Sequence, residues 1–109
     1  TAKEKIDYAT ANAETLMTPW EGPESLATGI LDDITYDWIG VVQALAQTGG
    51  ERIVASEKEI AVAHALANSH GASCEPTGSA GVAGVIAALR TGYIRREDRV
   101  GVLLTGVQR

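Results

Sequence analysis

The chain has few cysteines, few aromatic residues and no long apolar run, and each scarcity excludes a class of protein. Cys74 is the only cysteine among the 109 residues, which excludes an internal disulfide and a cysteine-based zinc site. No apolar stretch approaches the roughly 18 residues that a membrane-spanning helix needs. Asp and Glu number 14 against 9 Lys and Arg, and this acidic balance argues against a nucleic-acid-binding protein. We therefore expect a cytoplasmic protein that binds neither nucleic acid nor membrane.

Aromatic residues make up only 5% of the chain and Phe is absent, whereas Ala, Gly, Val, Leu and Ile dominate. Small aliphatic side chains allow helices to pack closely on a sheet. The composition therefore favours an α/β fold with a modest core. Four aromatic residues belong either to that core, which we favour, or to the lining of a pocket: Trp20, Tyr36, Trp38 and Tyr93.

Apolar spacing and capping residues predict three helices. They cover residues 36–47, 56–70 and 78–91. The second helix begins with a capping box formed by Ser56 and Glu59. Gly71 and Gly92 stand where left-handed glycines commonly end a helix.

Short apolar runs without polar alternation lie next to these helices, as is typical of strands buried on both faces. They cover residues 52–55, 72–75 and 100–104. Strands that alternate with helices imply right-handed crossovers and a parallel sheet. We predict an α/β fold class, a parallel-sheet three-layer segment that belongs to a larger domain, because three strands alone leave open sheet edges. Residues 1–22 form an N-terminal segment of uncertain structure and residues 23–109 form the α/β part, in which residues 25–31 are a short strand or a turn.

A glycine-rich stretch, Thr77–Gly84, opens the third helix directly after a predicted strand. Free amides at a helix N-terminus can bind an anion such as phosphate. The spacing, however, matches neither the dinucleotide-binding fingerprint nor the nucleotide phosphate loop. The alternative, which we favour, is that Gly78, Gly81 and Gly84 let the helix lie close to the sheet.

Glu75 and Thr105 would lie at the carboxyl ends of strands, where ligands bind in α/β proteins. Glu75 is either a pocket carboxylate or an ordinary partner for nearby amides. Thr105, followed by Gly106, offers a hydroxyl that can donate and accept. His64 and His70 lie six residues apart and do not share a helix face, so we expect no metal site.

Five segments, in order, resemble the carboxyl-terminal part of pyridoxal-phosphate enzymes of the tryptophan-synthase-β fold (fold type II). They read SLATGILDD, TGG, IVASEKEI, CEPTGSAGVAGV and VGVLLTGVQR. The resemblance covers roughly residues 23–109, is strongest to threonine synthases, and depends on the ordered series rather than on one motif. It implies the cofactor pyridoxal 5'-phosphate.

The resemblance also implies positions around that cofactor. The hydroxyl of Thr105, in the LLTG motif, matches the family residue that hydrogen-bonds the pyridine nitrogen. Thr28 and Gly29 would lie along the cofactor wall, and Glu75 near the ring edge. The implied cofactor-binding residues are therefore Thr28, Gly29, Glu75, Thr105 and Gly106.

Other family features have no counterpart in this chain. The Schiff-base lysine and the phosphate-binding loop belong upstream, and Lys3, Lys5 and Lys58 lack the expected context. We therefore expect no catalytic residue in this segment and no activity from this chain alone. Thr77–Gly81 would then serve packing and the pocket floor.

The implied function is that of a threonine-synthase-like lyase or synthase, acting by elimination or replacement on an amino acid such as O-phosphohomoserine. Serine or threonine dehydratases and enzymes that make cysteine or cysteate are alternatives with a similar terminal pattern. A free-standing, non-catalytic α/β module that binds a small ligand or a partner is the alternative from another class. The implied partners are the amino-acid substrate, the upstream remainder of the enzyme and, as in many relatives, a second copy in a homodimer.

Overall fold

The computed structural model describes residues 1–106, and its regular elements are helices. They are α1 (Ala2–Ala11), α2 (Ala13–Leu16), α3 (Trp38–Thr48), α4 (Glu57–Ser69) and α5 (Ala80–Thr91), with a 3-10 turn at Thr28–Ile30. The helices belong to two compact units. Unit 1 contains Thr1–Pro23 and Asp32–Arg52, and unit 2 contains Glu24–Leu31 and the chain from Ile53 onward. None of the helices in residues 1–106 is long and apolar enough to cross a lipid bilayer.

The predicted parallel-sheet, three-layer α/β segment is wrong. Within residues 1–106 no strand is present, and the runs 52–55, 72–75 and 100–104 have no regular secondary structure. A strand exists only when its amides and carbonyls pair with a neighbouring backbone, and an apolar run does not specify that neighbour. No backbone hydrogen bond joins any of these three described runs to another.

The predicted helices are confirmed, with ends that differ by one or two residues. In α4 the Ser56 hydroxyl accepts from the Glu59 amide, and the Glu59 carboxylate accepts from the Ser56 amide, as the capping box requires. Gly71 follows α4 at φ 83° and Gly92 caps α5 at φ 74°. Only glycine takes such left-handed angles without a steric cost.

Unit 1 contains a helix in the stretch whose structure the sequence left uncertain. Thr1 and Glu4 form a capping box at the start of α1, and Ala9 is buried. Helix α1 packs against α3. The T-x-x-E pattern is a start signal for a helix, but α1 was not predicted because the apolar periodicity that follows the pattern is weak.

Unit 2 is built on the direct packing of α4 against α5. Its core cluster consists of Ala27, Ile60, Ala63 and Ala83, with Ala63 and Ala83 fully buried. Alanines at the contact let the two helix backbones approach closely. The loop that carries Ala27 is thereby tied to the helix pair, and this loop carries Thr28 and Gly29.

The aromatic residues do not form the core, contrary to the prediction. Trp20, Tyr36 and Tyr93 are all more than half exposed, and Trp38 is half-buried. The core of unit 2 is made largely of alanines, and a helix contact formed by alanines leaves no space for a ring.

Candidate functional site

Two segments of unit 2 contact one turn, which consists of residues 75–78. The first is the loop with Thr28 and Gly29, and the second is the end segment with Thr105 and Gly106. The described contacts with the turn are made by Thr77 and Gly78.

The turn is closed by Ser79, which is fully buried at the N-terminus of α5. The Ser79 amide donates to the Glu75 carbonyl over 3.1 Å, and its hydroxyl lies 3.2 Å from the Pro76 carbonyl. On the other side, the Asn68 amide group donates to the Cys74 carbonyl over 3.1 Å. Bonds at both ends therefore fix this turn to α4 and α5.

The loop with Thr28 and Gly29 is held from two directions. The Gly29 amide donates to the Thr77 hydroxyl oxygen over 2.9 Å. The Leu26 amide donates to the Glu57 carboxylate over 2.8 Å. That bond, followed by one from the Ser25 hydroxyl, lowers the pKa of Glu57 from its usual value of 4.5.

The end segment lies against Gly78. The Thr105 amide is 3.4 Å from the Gly78 carbonyl. A Cβ atom on Gly78 would come within 2.5 Å of the backbone nitrogen and oxygen of Gly106, closer than real Cβ atoms approach. The two backbones can therefore meet at this distance only because position 78 is glycine.

The five predicted cofactor-binding residues are distributed around this turn. Gly29 and Gly106 are brought to it by direct contact, through Thr77 and Gly78 respectively. Thr28, Glu75 and Thr105 are exposed beside these contacts. Their roles toward a cofactor stay predictions.

The sequence assigned Thr77 to packing and the pocket floor and gave Glu57 no role in a site. Thr77 contacts Gly29 across 48 residues and Glu57 contacts Leu26 across 31. No local pattern encodes such contacts. The sequence feature that could have pointed to Thr77 and Glu57 is that each is a polar residue in a turn or at the start of a helix.

The glycines of α5 have unequal surroundings. A Cβ atom on Gly81 would lie 3.0 Å from Val102 Cγ1, whereas one on Gly84 would meet nothing within 4 Å. Gly78 and Gly81 thus let the start of α5 lie close to the end segment, whereas the prediction placed a sheet there. In the described part of the chain, no group of three or more His, Cys, Asp or Glu side chains is arranged to hold a metal ion.

Comparison with curated proteins finds similarity over most of the chain. The threonine synthase of Mycobacterium leprae (strain TN) is 33% identical over 92 residues, which are 84% of this chain and 26% of that protein. The threonine synthase of Bacillus sp. (strain ULM1) is 37% identical over 87 residues, 79% of this chain and 25% of that protein.

This chain is similar to threonine synthases. The similarity extends to the threonine synthase of Methanosarcina acetivorans, which is 32% identical over 91 residues, 83% of this chain and 22% of that protein. The chain spans about a quarter of the length of these curated relatives. No family model matches the sequence. No solved structure matches it either.

Proposed function

We propose that this chain is the carboxyl-terminal part of a pyridoxal-phosphate-dependent enzyme of the threonine-synthase kind. The observation that supports it most is similarity to threonine synthases over 84% of the chain, a stretch long enough to include most of unit 2. The contacts of the LATG and LLTG segments with the EPTG turn add geometric support.

The residues present fit the chemistry of the cofactor. When bound, the cofactor serves as an electron sink for the substrate's carbon atoms. Thr105 would donate its hydroxyl hydrogen to the pyridine nitrogen, and Thr28 and Gly29 would line the wall beside the ring. Because a hydroxyl is neutral, Thr105 would not keep that nitrogen protonated as a carboxylate would. Such a site favours elimination and replacement at the β or γ carbon.

The substrate that we propose is O-phosphohomoserine, from which phosphate is eliminated and to which water is added at the β carbon. The test uses the full-length gene product loaded with pyridoxal phosphate. Release of inorganic phosphate together with threonine is the expected result. Dehydration of serine or threonine, or replacement with a sulfur nucleophile, would instead identify a dehydratase or a cysteine or cysteate synthase.

Substitution of Thr105 tests the cofactor role directly. In the full-length protein, Thr105→Ala should weaken cofactor affinity by roughly three- to tenfold and lower turnover, because one hydrogen bond is lost. Thr105→Ser, which keeps the hydroxyl, is the matched control and should stay near the wild type. Equal affinity and kinetics in all three proteins would overturn the assignment of Thr105.

A further inference from the structure

Thr77 and Gly78 occupy adjacent positions and contact two different segments. Thr77 accepts the Gly29 amide through its side chain, over 2.9 Å. Gly78 faces Gly106 through its backbone, where an added Cβ would lie 2.6 Å from the Gly106 Cα atom. Through these contacts, one dipeptide reaches both segments that carry the predicted cofactor residues.

The dipeptide is itself firmly held. It lies between Glu75, whose carbonyl accepts from the Ser79 amide, and Ser79, which is fully buried. By contrast, Thr28, Gly29 and Thr105 are exposed. A fixed turn can therefore impose its geometry on two exposed segments, whereas the reverse is not expected.

We propose that Thr77 and Gly78 are positioning residues that set the separation between the Thr28–Gly29 loop and the Thr105–Gly106 segment. The Thr77 hydroxyl sets the position of the loop, and the missing side chain of Gly78 sets that of the end segment. That this separation affects the affinity for a cofactor held between the two segments rests on the proposed function. Neither residue needs to touch the cofactor for this role.

The first part of the test uses the full-length gene product without cofactor. Thr77→Val removes the acceptor and keeps the shape, and Thr77→Ser keeps the acceptor. Amide exchange in residues 26–31 should become about fivefold faster in Thr77→Val and stay near the wild-type rate in Thr77→Ser. Thr91→Val is the matched control, because in the described part of the chain the Thr91 hydroxyl donates to the Ala87 and Ala88 carbonyls of its own helix.

The second part measures cofactor affinity by titration with pyridoxal phosphate. Thr77→Val should raise the dissociation constant by about fivefold, and Thr77→Ser should restore it. Gly78→Ala should speed amide exchange in residues 101–106 and raise the dissociation constant by about tenfold or more, since its Cβ would clash with backbone. If Gly78→Ala does not fold, the comparison of Thr77→Val with Thr77→Ser still tests the proposal.

The outcomes separate this proposal from the proposed function. If Thr77→Val matches the wild type in amide exchange, or if Thr77→Ser fails to restore the wild-type rate, positioning by Thr77 is overturned. If exchange follows the expected pattern but the wild-type protein does not bind pyridoxal phosphate, the proposed cofactor is wrong and the positioning role stands.

Discussion

Glu59 is a carboxylate in a nearly buried position, at 8% exposure, and it has partners on two sides. Its Oε1 atom lies 2.7 Å from Arg90 Nε, and its Oε2 atom accepts from the amide and hydroxyl of Ser56. The bond from Arg90 and then those from Ser56 lower the pKa of Glu59 from 4.5 to about 2. One side chain thus joins the start of α4 to the end of α5.

This lowered pKa makes the stability of unit 2 depend on pH. Because the folded pKa lies below the unfolded value, the ionised Glu59 stabilises the fold above about pH 4.5. Its contribution decreases as the pH falls from there toward about 2. Chemical unfolding of the wild type and of Glu59→Gln at several pH values measures the difference.

The wild type should be the more stable protein at neutral pH, and the difference should shrink as the pH falls through this window. Other carboxylates titrate in both proteins and largely cancel in the comparison. A difference that stays constant across the whole range would contradict the role of the ionised carboxylate.

Helix α5 lies against the end segment on one part of its surface and is open on another. A Cβ atom added to Gly81 would lie 3.0 Å from Val102 Cγ1 and 3.4 Å from the Leu103 carbonyl oxygen, whereas Gly84 has open space. The same substitution at the two positions therefore has different expected effects. Comparison of the two variants therefore separates the effect of helix propensity on stability from the effect of packing.

Gly84→Ala should raise the free energy of unfolding by about 0.5–1 kcal/mol, because alanine loses less backbone entropy in a helix. Gly81→Ala should gain less or lose stability, since Val102 and the Leu103 backbone must move to make room. Thermal and urea unfolding of both variants gives the comparison. Equal stabilisation at both positions would show that the segment 102–103 does not constrain α5.

The prediction of elements succeeded where a local pattern was sufficient. The capping box of Ser56 and Glu59 and the left-handed glycines after α4 and α5 are encoded by neighbouring residues. The strands failed because a strand needs a partner elsewhere in the chain. Gly29 and Gly106 were predicted as cofactor-binding residues by resemblance, which stays a prediction, and their contacts to Thr77 and Gly78 became visible only in three dimensions.

Across the described residues, most buried positions hold small side chains and many large apolar side chains are exposed. The largest exposures among them include Leu103 at 85% and Val54 at 76%. An apolar groove of about 280 Å³ is lined by Leu66, Ala67, His70, Ala72, Val82 and Leu104. Exposed apolar surface of this kind binds hydrophobic dyes and promotes association.

The isolated 109-residue chain should therefore bind a hydrophobic dye and self-associate. Leu104→Gln, which places a polar group at the groove, should lower dye fluorescence, and Leu26→Gln, at a half-exposed position outside the groove, is the control. Dye fluorescence and light scattering measure the two effects. A monomer that unfolds cooperatively and binds no dye would instead favour the free-standing module.

The sequence by itself determined the approximate bounds of α3, α4 and α5, the acidic balance and the similarity to threonine synthases, because each is carried by residue identities or short spacings. Only the tertiary structure decided that α4 packs directly on α5 and that Thr77 and Gly78 join the two exposed segments. Those contacts connect residues tens of positions apart. Their free energies depend on burial and distance, which no local pattern specifies.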